Sequence, residues 1–317
     1  MPITVVGSIA FDAVRTPFGE RERMLGGAAV HFALAACLFD EVRVVGPVGD
    51  DFDEQHLRML AARGVDVGDV ERAAGETFFW RAVYGWDMNS RETLETRLGV
   101  FESFAPKLSE RSRDSDVLFL ANIQPDLQLE VRRQLPDARF VAMDSMNLWI
   151  ETARERLVEV VREVDCLILN DGELRELAGR ANVIAAAREI LSWGGPHGGP
   201  SIVVAKQGEY GAALITDNVF FSLPAYPLED VVDPTGAGDT FAGGLVGYIA
   251  AHPDEALDDD LLRRAMAYAT ALASFNVERF GTERLQELRG EEVHERIEEL
   301  RAMTAFSAGP AAVRRSQ

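Results

Sequence analysis

Short apolar runs recur along the chain, and longer polar stretches with apolar residues every three or four positions separate them. The run over residues 3–10 predicts a first buried strand and residues 42–48 a second. Four further strands are expected at 117–121, 139–143, 166–169 and 201–205. Uninterrupted apolar runs of this length mark strands covered on both faces. Gly26-Gly27 opens an apolar helix over residues 28–39, and residues 53–63 predict a helix stopped by Gly64. The last third is helix-rich. Alternation of this kind predicts an α/β fold, with a mostly parallel central sheet between two helical layers.

One stretch breaks the alternation. Residues 77–84 and 93–100 predict two extended segments joined by a turn at 86–90, an antiparallel insertion within residues 74–101. Residues 194–200 form a Gly/Pro loop. The 317-residue chain suits a single domain over residues 1–306, with residues 307–317 expected to be a disordered tail.

Charge and cysteine content narrow the partners. The net charge is −20, which argues against nucleic acid and anionic membrane surfaces as partners. Two distant cysteines, Cys37 and Cys166, give neither a disulfide framework nor a metal spacing, as expected in a reducing cytoplasm. The uncharged apolar stretch over residues 265–277 is too short to span a bilayer. Arginine supplies nearly all the positive charge, and the lysines are Lys107 and Lys206 alone.

The chemistry concentrates in Asp233-Pro-Thr-Gly-Ala-Gly-Asp239. Gly236, Ala237 and Gly238 are small enough for a ligand to approach their backbone, and a helix is expected to begin directly after them. Free amides at a helix N-terminus make a site for phosphate or for developing phosphoryl charge. Asp239 at its mouth is placed to take a proton from an attacking hydroxyl. Read alone, the segment could equally be a turn with a capping acid. There is no Gly-x-x-x-x-Gly-Lys loop and no Gly-x-Gly-x-x-Gly fingerprint, and the five histidines are scattered.

Together the motifs resemble those of the ribokinase, or PfkB carbohydrate kinase, family. Asp233-Pro-Thr-Gly-Ala-Gly-Asp239 resembles the C-terminal signature. Gly26-Gly-Ala-Ala, Val45-Gly-Pro-Val-Gly-Asp-Asp-Phe52 and Gly64-Val-Asp66 resemble the N-terminal one. Asn170-Asp-Gly-Glu173 matches the Asn-x-x-Glu motif, and Lys206-Gln-Gly-Glu-Tyr-Gly211 resembles the hairpin bordering the nucleotide. The resemblance implies a ribokinase-like three-layer α/β/α sandwich with a small β-sheet lid, formed by about residues 12–25 and 74–101. It implies ATP and Mg²⁺ as cofactors, a monovalent cation (K⁺) as in some relatives, and lid-mediated homodimers as found in the family. Asp239 is implied as base and Gly236, Ala237 and Gly238 as anion hole. Asp12, Gly26, Gly27 and His31 are implied on the substrate side. Asn170, Lys206, Gly208, Gly211 and Asn276 are implied around the nucleotide, with Glu173, Asn170 and Asp233 near metal ions.

The departures bear on the substrate. His31 stands where ribokinase-like enzymes often carry Asn, and Pro234 replaces the usual Thr. Asp144-Ser-Met-Asn147 lacks the arginine that relatives use for acidic sugars. A sugar or sugar-like polyol is the leading expectation. A nucleoside is the alternative, since Phe78, Phe79, Trp80, Tyr84 and Trp86 could stack on a base. A catalytically silent sensor of the same fold is the rival from a different class, and ADP release across a panel of alcohols separates it from a kinase.

Overall fold

The computed structural model describes residues 1–195 and 197–306. The expected tail at 307–317, and Pro196 in the Gly/Pro loop, lie outside the described residues.

Thirteen strands are present among the described residues: β1 Ile3–Val6, β2 Ala10–Thr16, β3 Gly19–Gly26, β4 Val42–Val48, β5 Val65–Arg72, β6 Phe78–Tyr84, β7 Arg91–Arg97, β8 Val117–Leu120, β9 Phe140–Asp144, β10 Cys166–Asn170, β11 Ile202–Lys206, β12 Ala212–Ile215 and β13 Phe220–Leu223. Nine form one sheet in the order β13-β12-β11-β10-β9-β8-β1-β4-β5. It is parallel from β5 through β11 and ends in the antiparallel hairpin β12–β13. Strand alternation divides the core. Ile3, Val44, Phe119, Ile168 and Val204 pack with helices Ala28–Ala36, Ala237–Ala250 and Asp259–Asn276 on one face. Val6, Val45, Leu118, Leu167 and Val203 pack with helices Pro125–Gln134, Arg154–Val161, Asp171–Ala178 and Val183–Leu191 on the other. These are the three layers that the alternating pattern predicts.

The second sheet, β3-β2-β6-β7, is the lid. The insertion is antiparallel as expected, β6 pairing with β7, and so is the β2–β3 pair, while β2 and β6 run parallel to join the two hairpins. The run at 3–10 is also not one strand. β1 stops at Val6 and the chain enters the lid at Ala10. A Cβ on Gly7 would meet Ala121 Cβ at 2.7 Å, so glycine lets the chain pass close to the end of β8 where it leaves the central sheet.

Glycine also governs the packing under the site. In helix Ala237–Ala250, a Cβ on Gly243 would lie 2.4 Å from the Phe32 carbonyl and one on Gly247 2.7 Å from the Phe39 ring. The missing side chains let this helix lie against Ala28–Ala36. Phe32 in turn stacks on Phe119 of β8, with ring centroids 4.2 Å apart.

Candidate active site

The site lies where β9, β10 and β11 end, a position at which open parallel sheets bind ligands. Asp144 closes β9, Asn170 closes β10 and Lys206 closes β11, and the β10–β11 register sets Asn170 beside Lys206. Lys206 Nζ donates to Asp144 Oδ2 at 3.1 Å, with side chains 18% and 7% exposed. Asn170 caps helix Asp171–Ala178. Its Oδ1 accepts from Glu173 N at 2.8 Å, and its own N–H donates to Glu173 Oε2 at 2.9 Å. This reciprocal capping box fixes both residues at the mouth of the site. Burial raises the Glu173 carboxyl pKa, Lys206 opposes that rise and Asp144 adds to it.

The loop before helix Ala237–Ala250 brings in the acid. Gly236 is its N-cap at φ 76°, and Asp239 stands in its first turn. The Ala237 N–H turns back to the Pro234 carbonyl at 3.2 Å, so Ala237 contributes less to an anion hole than expected. The Gly238 and Asp239 amides precede the first intrahelical bond, from Thr240 N to Gly236 O, and form the open end of the helix. The Asp239 carboxyl is pushed up to about 7, by burial first and then by Asp144, with Lys206 opposing.

Several residues expected at ligands turn out to be supports. His31 is 1% exposed and its ring lies beneath Gly236, where a Cβ would approach it to 2.3 Å. Its Nδ1 bonds Asn276 Oδ1 at 2.9 Å, and burial holds its pKa down to about 4. Asn276 is fully buried. Its Nδ2 donates to the Thr235 carbonyl at 2.7 Å and its Oδ1 accepts from Thr240 Oγ1 at 3.0 Å. A carbonyl only accepts, so Nδ2 must face Thr235 and Oδ1 must face His31, which therefore carries its proton on Nδ1. With its amide committed in this way, Asn276 is not open to an adenine. Asp233 is likewise fully buried, and its two oxygens accept from Thr235 N at 2.9 Å and Gly281 N at 2.8 Å. The carboxylate ties two loops together.

On the substrate side, Asp12 lies in β2 and is 5% exposed. A Cβ on Gly26 would fall 1.9 Å from Asp12 Oδ2, and one on Gly27, at φ 98°, 2.4 Å from the Ser8 carbonyl. On the side where a Cβ would stand, the protein's own atoms fill the space at these glycines. Asp12 is pushed up to about 8 by burial, then by the charges of Asp233 and Asp239, against a hydrogen bond from the Gly27 amide. Gly208 (φ 58°) and Gly211 (φ 97°) shape the connection between β11 and β12, where a Cβ on Gly211 would sit 2.0 Å from the Leu223 carbonyl.

The lid touches both halves of the site. Tyr84 Oη bonds Thr235 Oγ1 at 3.2 Å, and Asn89 Nδ2 in the β6–β7 turn donates to Glu209 Oε1 at 3.2 Å. From sequence, Tyr84 is named only among the aromatics that could stack on a base and Asp144 only as the start of Asp144-Ser-Met-Asn147; neither contact is foreseen. A further signal for Asp144 is its place at the C-terminal end of an apolar strand, next to the strand that ends in Asn170.

Comparison with known proteins agrees with this geometry. The pattern of the pfkB family carbohydrate kinase matches residues 3–288. A cytidine kinase from Thermococcus kodakarensis is 32% identical over 263 residues, covering 80% of this chain and 91% of that protein. A nucleoside kinase from Methanothermobacter thermautotrophicus is 26% identical, over 89% and 91% of the two chains. The fold matches the crystal structure of a ribokinase from Cryptococcus neoformans var. grubii in complex with ADP, with a TM-score of 0.76 at 19% identity over 93% of this chain and 98% of that one.

Proposed function

Because the chain belongs to the pfkB family of carbohydrate kinases, and is therefore a phosphotransferase acting on hydroxyl groups of small molecules, we propose that Asp239 is its catalytic base and that ATP is its phosphoryl donor. The observation that carries this reading is the place of the Asp239 carboxyl, in the first turn of helix Ala237–Ala250 beside its open amides, with burial raising its pKa. A base with its pKa near the working pH is both available and strong enough to take a hydroxyl proton.

In this mechanism Asp12 holds hydroxyls of a sugar or sugar-like acceptor, and Asp239 accepts the proton of the attacking one. The acceptor oxygen bonds to the γ-phosphorus as the bond to the β-phosphate oxygen breaks, and ADP leaves. The Gly238 and Asp239 amides face the spreading charge. Tyr84 and Asn89 hold the lid against the site and exclude water, which would otherwise compete as acceptor.

The donor set suits Mg²⁺ arriving with ATP. Glu173 commits Oε2 to its capping box, and no three His, Cys, Asp or Glu side chains form a metal-holding group among the described residues. This fits an ion that keeps most of its waters and is steered by Asn170 and Glu173. Bound there, it would neutralise charge on the β- and γ-phosphates. The monovalent cation implied by the resemblance would sit on the backbone near Asp233 and residues 276–281, and no step is assigned to it. The exposed Leu94 and Trp86 on the lid support pairing of two lids in a homodimer.

A nucleoside acceptor is the second reading, favoured by the similarity to a cytidine kinase. Both readings are tested by ADP release with Mg²⁺ and ATP across ribose, other sugars, cytidine and inosine. Turnover with at least one alcohol is expected. Asp239→Asn should keep ATP binding and lose about 100-fold or more in kcat. Near-normal transfer by that variant overturns Asp239 as base.

A further inference from the structure

We propose that Lys206 is a further catalytic residue: its ammonium, held by Asp144 against Gly238, supplies positive charge to the transferring phosphoryl group beside the anion hole. The proposal deepens the reading above and rests on its assignment of the 233–239 loop.

Composition gives the first indication. Of 32 basic residues only Lys107 and Lys206 are lysines, and one of them stands at the end of β11 inside the site. A chain that uses arginine almost everywhere keeps a compact ammonium here. The geometry explains why. A Cβ on Gly238 would lie 2.8 Å from Lys206 Nζ, so the ammonium fills the space directly against the backbone that opens the helix. A planar guanidinium fork is larger and more rigid than an ammonium.

The partners give the second indication. Lys206 donates one hydrogen bond, to Asp144, which leaves donors of a three-donor ammonium free for phosphoryl oxygens. The charges of Asp144, Glu173 and Asp239, in that order, hold Lys206 protonated against its burial. Lys206 forms no covalent bond and gives up no proton. The acceptor's proton still goes to Asp239, while Lys206 hydrogen-bonds oxygens whose charge grows during transfer. Asp144 contacts none of the reacting atoms and is a positioning residue.

The test separates transferring phosphoryl from ground-state nucleotide and does not need the acceptor. The intact protein and its K206M, K206R, D144N and D239N variants are titrated with ADP and Mg²⁺, with and without aluminium fluoride, which mimics the planar phosphoryl group. Wild type is expected to bind ADP more tightly with the fluoride. K206M is expected to keep ADP affinity and lose most of that enhancement, up to about 100-fold. D144N should lose part of it, and D239N should keep it. If K206M does not fold, K206R carries the test, and its oversized fork is expected to lose the enhancement as well. Full enhancement in the folded Lys206 variant overturns the proposal. So does an equal loss for ADP alone, which assigns Lys206 to nucleotide binding only. Turnover by D239N would overturn the base assignment while leaving this result standing, so the two failures are distinguishable.

Discussion

Gly236 meets two demands at once. Its φ of 76° disfavours any L side chain, and the His31 ring occupies the place where that side chain would go. Gly236→Ala should therefore cost about 1–2 kcal/mol in backbone strain alone, and more by displacing His31 and the loop above it. The expected outcome is a lowered denaturation midpoint together with a fall in kcat larger than any change in ATP affinity. At this scale the sequence disclosed which groups are present but not which of their hydrogen bonds are already committed. Asp239 was legible because it follows small residues at a helix start. The hydrogen bonds of Asn276 and Asp233 were not legible, because residues 200 or more positions distant, or one loop away, decide where their polar atoms point.

Among the elements, the buried central strands were legible because their apolar runs are continuous. The edges were not. β5, Val65–Arg72, alternates apolar and acidic positions, and β13, Phe220–Leu223, is largely exposed, so neither shows the same signal. The break between β1 and β2 was also hidden, because both strands are apolar and only the packing of Gly7 against Ala121 separates them. The lid's hold on the site is itself an element-scale property. Tyr84→Phe removes the bond to Thr235, and a bond of this kind is worth about 1 kcal/mol. Acceptor KM should rise several-fold with kcat little changed, and ADP release without acceptor should increase. An unaltered KM would show that the Tyr84 bond does not hold the lid.

For the whole molecule, the clustered carboxylates reverse the usual acid sensitivity. Asp12 and Asp239 titrate at about 8 and about 7 in the folded protein, against 3.8 when unperturbed. Between those values the folded state binds more protons than the unfolded one, so stability is full below the unfolded pKa and falls as pH rises through 7 and 8. The thermal midpoint of the ligand-free protein should be higher at pH 6 than at pH 9, and Asp12→Asn should flatten that slope. Carboxylates held low, such as Glu41 and Asp51, act only at more acid pH and do not compete in this window. A midpoint that climbs between pH 6 and 9 would contradict the shifts. No helix among the described residues is long and apolar enough to cross a membrane.

Asp12 belongs to β2, and β2 belongs to the lid rather than to the central sheet. With Asp12 as the proposed acceptor ligand, capture and enclosure would be one equilibrium and not two successive events. If only the enclosed population presents Asp12 correctly, the apparent dissociation constant equals the intrinsic one divided by the fraction enclosed. A substitution that touches no acceptor atom, such as one at Asn89 or Glu209, then shifts affinity for every acceptor by one common factor. Selectivity among acceptors stays as it was.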